Sequence, residues 1–67
     1  MTDLERKTAA AWDHIRQSGS AFLAQHDGLK AGFRALKKQG KVTIYGRGYV
    51  RLAGEYLDAF LAGEEVK

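Results

Sequence analysis

The sequence predicts one small α+β domain that is mainly helical, with three helices, a two-stranded antiparallel hairpin and a C-terminal helix. Apolar residues recur at helical spacing from the N-terminus to about residue 39. Between residues 42 and 52 the apolar period becomes two, on either side of the glycine-rich turn "GRG". A chain of 67 residues buries a modest core, so we expect a single domain over residues 1–67.

The first helix is predicted to begin at about Asp3. Thr2 and Glu5 have the three-residue separation of a capping box. An apolar stripe at helical spacing then marks the face that we expect to be buried, formed by Leu4, Ala11, Trp12 and Ile15. The segment "QSGS" at 17–20 should end this helix, and a second, short helix should run through "AFLAQH" with Phe22 and Leu23 pointing inward.

The third helix is predicted at about 28–39, with Asp27 as its N-cap and Gly40 as the first residue beyond its end. Its apolar positions are Leu29, Phe33 and Leu36. Gly32 lies in the helix interior, where glycine costs about 1 kcal/mol relative to alanine. This cost suggests that another backbone passes close to Gly32.

The hairpin is predicted at 42–52, with Val42, Ile44, Val50 and Leu52 on its inner face. Tyr45, Tyr49 and Arg51 should lie on the outer face. The last helix should cover about 55–62, and "EEVK" should be a frayed tail. The most buried side chains should include Ile15, Phe33, Leu36, Ile44, Val50 and Leu52.

The charges are segregated along the chain. The first 26 residues are balanced, whereas residues 27–52 carry seven basic side chains against a single acidic one, Asp27. Residues 53–67 carry four acidic side chains and one basic. Such segregation favours a surface that faces a polyanion, although a solvated face without a partner is the alternative.

The basic residues of the third helix form a stripe next to its apolar side, because each of Lys30, Arg34, Lys37 and Lys41 follows an apolar-stripe position by one residue. A helix of this kind fits the major groove of DNA, where the fork of Arg34 suits guanine. Arg47, between two glycines, could reach a phosphate or a minor groove. The candidate DNA contacts are Lys30, Arg34, Lys37, Lys38, Lys41, Tyr45, Arg47 and Arg51.

The spacing of Leu29, Phe33, Leu36, Gly40 and Val42 resembles a pattern found in winged helix-turn-helix regulators, where it covers the recognition helix and the start of the wing. In size and composition the chain is similar to small phage and plasmid proteins of this kind, including excisionases and repressor-like regulators. The resemblance implies a DNA-binding regulator of transcription that binds double-stranded DNA, commonly as a dimer on two half-sites.

An enzyme is not expected. His14 and His26 have no cysteine or carboxylate cluster near them in sequence, and no motif for a phosphate, a metal or a cofactor is present. The lack of cysteine fits a reducing compartment. With no signal-peptide pattern and no long apolar run, we expect a cytoplasmic protein without a membrane partner.

A second class of function stays open. "QHDG" is a short turn before the third helix, and that helix lacks polar base-reading residues near its start. A protein-binding module on the same scaffold, such as a phage-type inhibitor of a nucleic-acid-handling complex, is therefore the alternative. The expected contacts with a partner, or within a homodimer, are Trp12, Tyr56, Leu57, Phe60 and Leu61. Two tyrosines on the hairpin, Tyr45 and Tyr49, are too few to predict a platform for single strands.

Overall fold

The computed structural model describes residues 2–66, which adopt a mostly helical α+β fold. The helices are α1 (Asp3–Ser18), α2 (Lys30–Lys38) and α3 (Gly54–Leu61), and the strands are β1 (Ser20–Phe22), β2 (Val42–Tyr45) and β3 (Tyr49–Leu52). Two 3-10 turns, Leu23–Gln25 and Asp27–Leu29, connect β1 to α2. The strands form one antiparallel sheet in the order β1-β3-β2. The general class was predicted, but the two-stranded hairpin belongs to a three-stranded sheet.

Helix α1 begins and ends as its sequence predicts. The Thr2 hydroxyl accepts a hydrogen bond from the Glu5 amide at 3.1 Å, and the Glu5 carboxylate accepts one from the Thr2 amide at 3.3 Å. At the other end Gly19 is left-handed, with φ of 79°, and its N–H donates to the Ile15 carbonyl at 2.7 Å. Leu4, expected on the buried face, is instead 51% exposed in the first turn of the helix.

The predicted second helix is wrong. Residues 20–22 form β1, in which Ala21 pairs with Val50 and Phe22 with Tyr49 of β3. The free edge of β3 offers backbone groups that need partners, and this pairing outweighs the local helical pattern of "AFLAQH". Because side chains alternate along a strand, Ala21 points inward and Phe22 outward, 51% exposed. Leu23 is buried, as predicted.

Helix α2 lies where the third helix was predicted, but Asp27 is not its cap. The capping position is Leu29, whose side chain makes no capping hydrogen bond, and the Asp27 carboxylate lies 3.1 Å from the Lys30 ammonium. A close backbone does pass Gly32, since a Cβ there would clash with the Lys7 carbonyl and lie 2.9 Å from the Thr8 amide nitrogen. Gly32 therefore lets α1 and α2 cross in direct contact.

The hairpin and the core agree with the predicted pattern. β2 and β3 pair from Val42 with Leu52 to Tyr45 with Tyr49. The largest fully buried side chains come from α1, α2 and the sheet, and they are Phe33, Ile15, Leu36, Leu52 and Val50. Ile44, also expected to be among the most buried, is only partly covered and packs at the edge of the core.

Helix α3 covers the predicted segment and packs on the core through Tyr56, Leu57 and Phe60. The expected frayed tail is wrong for Val66, which is 4% exposed and whose carbonyl accepts a 3.5 Å hydrogen bond from Arg16. The free energy gained by burying the valine side chain outweighs the conformational entropy lost when the end of the chain is ordered. Lys67 lies outside the described residues.

Candidate nucleic-acid interface

Three cations lie together on the exposed face of α2 in the second half of the helix. Arg34, Lys37 and Lys38 are three and four residues apart, so they lie on one side of the helix, and all three are exposed. The opposite side, with Phe33 and Leu36, is buried. Lys37 and Lys38 also stand in the last turn, where a positive charge stabilises the helix dipole. That effect accounts for the two lysines but not for Arg34.

The tip of the β2–β3 hairpin presents Arg47 between two glycines. Gly46 and Gly48 both have positive φ, 51° and 117°, which other residues rarely adopt. The Gly48 N–H donates to the Tyr45 carbonyl at 3.1 Å and closes the turn. Arg47 is exposed at this turn.

A contact between the hairpin tip and the segment after β1 holds the tip in place. The Leu23 N–H donates to the Gly48 carbonyl at 2.8 Å. A Cβ on Gly48 would lie only 3.1 Å from the Leu23 Cβ, so glycine allows this close approach. The hairpin tip is thus anchored by this contact with Leu23 in addition to the pairing of β2 with β3.

The exposed face of α2 and the tip of the β2–β3 hairpin face each other across an open cleft of about 560 Å³. Its basic lining consists of Arg34, Lys37, Lys38 and Arg47, which we call the cleft cations. Leu23 and Ile44 supply the apolar part of the lining. Among residues 2–66 the ion pairs are Asp3–Arg6, Asp13–Arg16 and Asp27–Lys30. Within that range the cleft cations therefore have no acidic partner.

Two other predicted contacts lie elsewhere. Lys30 forms its ion pair with Asp27 at the start of α2. Lys41 does not continue the basic stripe of α2, because the helix ends before it and the chain reverses at Gly40, which has φ of 77°. Its ammonium lies 5.0 Å from the centre of the Trp12 ring, in a cation–π contact on another side of the domain.

The remaining two predicted contacts, Tyr45 and Arg51, lie on the outer face of the sheet. Tyr45 is 53% exposed there, and its ring centre lies 6.4 Å from that of Tyr49. Phe22 joins them from β1, with its ring centre 5.1 Å from that of Tyr49. Sequence reasoning missed Phe22 as a surface residue because a three-residue strand is too short to show a period of two.

The residues expected at a dimer or partner contact divide into two groups. Trp12, Tyr56, Leu57 and Phe60 are partly buried against the core, and the Trp12 and Tyr56 rings meet edge to face at 5.2 Å. Leu61 is different, since it is 66% exposed. Of these five residues, only Leu61 at the end of α3 therefore keeps a large apolar side chain mostly in solvent.

The two histidines are neighbours in space. The rings of His14 and His26 lie 4.3 Å apart between centres. Within residues 2–66, no three or more histidine, cysteine or acidic side chains are placed to hold a metal ion. None of the helices formed by those residues has the length and apolar character needed to cross a membrane.

Comparison with protein-family models, with curated proteins and with solved structures found no match to this chain.

Proposed function

We propose that this protein binds double-stranded DNA through α2 and the β2–β3 hairpin, as a small winged helix-turn-helix regulator of transcription. The observation that carries the proposal is the convergence of the four cleft cations from two separate elements. A solvated helix face would explain charge on α2 alone. It gives no reason for the hairpin tip to bring an arginine to the same cleft.

The two elements would contact DNA in different ways. A helix fits into the major groove, where the planar guanidinium of Arg34 can donate two hydrogen bonds to guanine O6 and N7. Lys37 and Lys38 act as point charges on phosphates. Arg47 extends from a turn that its glycines shape, so it can contact a phosphate on the flanking strand or enter the minor groove there.

The salt dependence of binding follows from the number of cations. Each neutralised phosphate contributes about −0.9 to the slope of log K against log salt for duplex DNA. One phosphate contact each from Lys37, Lys38 and Arg47 would therefore give a slope of about −2.7 per chain. Lys30 is held by Asp27 and Lys41 by Trp12, so we expect neither to add fully to this slope.

The decisive variant replaces both Arg34 and Lys37 by alanine. We expect duplex affinity to fall and the salt slope to flatten by about 0.9, because the phosphate contact of Lys37 is lost together with the contact of Arg34 to guanine. A matched control, Arg6→Ala with Lys7→Ala, removes the same charge from exposed positions on α1. Fluorescence anisotropy with a random duplex at several salt concentrations measures both variants, and circular dichroism checks that helicity is unchanged.

Equal losses in the two double variants would show that only net charge matters and would contradict the proposal. Unchanged binding of the Arg34 and Lys37 variant at physiological salt would contradict it as well. In that case binding of a protein partner would become the leading function. A specific observation favours that second candidate: an open groove between α1 and α2 exposes Leu4 beside Ala9 and Trp12.

A further inference from the structure

The outer face of the sheet carries three aromatic side chains in one row. Phe22, Tyr49 and Tyr45 occupy directly paired positions on β1, β3 and β2. Their ring centres are 5.1 and 6.4 Å apart along this row, which we call the aromatic row. Phe22 and Tyr45 are each more than half exposed. The row exists only because residues 20–22 form a strand.

Sheet stability alone does not account for this exposure. Cross-strand aromatic pairs do stabilise a sheet, and the rings contact one another at angles of 60° and 41°. The apolar packing of the sheet, however, is on its other face, where Val50 and Leu52 are buried. The outer area of Phe22 and Tyr45 is left in solvent, as at many binding surfaces.

The charges around the aromatic row indicate what it would bind. No residue of the three strands is acidic. Arg51, two residues after Tyr49, lies exposed on the same face, and Arg47 stands at the hairpin tip, two residues from each tyrosine in the chain. Aromatic rings with arginine beside them are the features by which proteins hold unpaired bases and their phosphates.

We propose that the aromatic row binds the bases of single-stranded nucleic acid, with Arg51 and Arg47 contacting its phosphates. The ring spacing exceeds the rise of about 3.4 Å per nucleotide in a duplex strand. Each ring therefore takes one base of an extended strand, and a duplex, whose bases are stacked inside, does not bind at this face. This function goes beyond duplex binding by α2 and shares only Arg47 with it.

The test uses a labelled oligothymidylate of about ten nucleotides and measures its affinity by fluorescence anisotropy. Tyr45→Leu keeps an apolar side chain but removes the ring, so affinity should fall about 5- to 150-fold, the contribution of one stacked base. Tyr45→Phe keeps the ring and should bind like the wild type. Leu4→Ala, at a similarly exposed position on α1, is the matched control and should have no effect.

Equal affinity of Tyr45→Leu and Tyr45→Phe would overturn the proposal, because stacking would then not be involved. Loss of oligothymidylate binding in the Arg34→Ala, Lys37→Ala variant would also overturn it, since the cleft and not the sheet would be the site. Retained oligothymidylate binding by that variant, with duplex binding lost, is the expected result.

NMR of the wild-type protein gives a second measurement that does not depend on a variant's folding. Ring resonances of Phe22, Tyr45 and Tyr49 should shift on addition of oligothymidylate. If they shift instead with protein concentration alone, and oligothymidylate has no effect, the sheet face is an interface between copies of the chain and the proposal is wrong.

Discussion

Replacing Gly32 by alanine tests the direct crossing of α1 and α2. An alanine Cβ at this position would lie 2.6 Å from the Lys7 carbonyl carbon and 2.9 Å from the Thr8 amide nitrogen. Both atoms belong to the backbone of α1, which cannot move aside as a flexible side chain would. The two helices would have to separate, and the packing of Ile15 and Phe33 behind them would loosen.

Two opposite effects determine the size of the change. Alanine is favoured over glycine in a helix by about 1 kcal/mol. Overpacking a closely fitted contact costs about 1–3 kcal/mol, and at Gly32 it acts on a contact between two backbones. Because these backbone atoms cannot give way, we take the upper half of that range, about 2–3 kcal/mol, which leaves a net loss of about 1–2 kcal/mol in the free energy of unfolding. For a domain of this size this corresponds to a fall in melting temperature of about 4–16 °C.

Thermal unfolding followed by far-ultraviolet circular dichroism measures this effect. Gly28→Ala is the matched control, because a Cβ on Gly28 meets no atom within 4 Å. The control should melt at the wild-type temperature or slightly above it, since alanine reduces the freedom of the unfolded chain. If Gly32→Ala melts as high as Gly28→Ala, α1 and α2 do not touch at Gly32, and close backbone contact does not explain the glycine.

Two further predictions concern Lys41 and Leu61. Lys41→Ala should lower the free energy of unfolding by about 0.5–1 kcal/mol in urea titrations, because the contact with Trp12 is lost. Lys37→Ala should instead flatten the salt slope of duplex binding by about one unit. Equal effects of the two substitutions on the salt slope would contradict the placement of Lys37 at the DNA-binding cleft and of Lys41 away from it. The homodimer stays a prediction, with Leu61 of α3 at its contact, so sedimentation at micromolar concentration should give twice the chain mass of 7.4 kDa. Leu61→Asp should give the single-chain mass, and a wild-type protein that sediments at 7.4 kDa would remove the prediction.

The elements that could be predicted from the sequence are those whose signals are local. The capping box of Thr2 and Glu5 needs only four residues, and it forms as expected. The hairpin combines a period of two with a glycine turn, so its strands and their inner face follow directly from the pattern. The close backbone at Gly32 could also be inferred, because glycine in a helix interior has a known cost.

The elements that could not be predicted depend on contacts between distant parts of the chain. β1 forms because β3 has a free edge, and nothing within "SAF" itself indicates this pairing. Lys41 was placed on the basic stripe by continuing helical spacing past Gly40. In the structure its N–H donates to the Leu36 carbonyl at 3.0 Å, as in a Schellman turn, and the chain direction changes. Helical spacing predicts which side chains share a face only for residues within the helix itself.

Strand β1 supports both proposed binding surfaces. Its alternation turns Phe22 outward into the aromatic row, and the next residue, Leu23, then points inward. From that position the Leu23 amide bonds to Gly48 and fixes the hairpin tip that carries Arg47 to the cleft. A shift of β1 by one residue along β3 would bury Phe22 and break the Leu23 contact together. The register of this short strand therefore determines the geometry of the cleft as well as the exposure of the aromatic row.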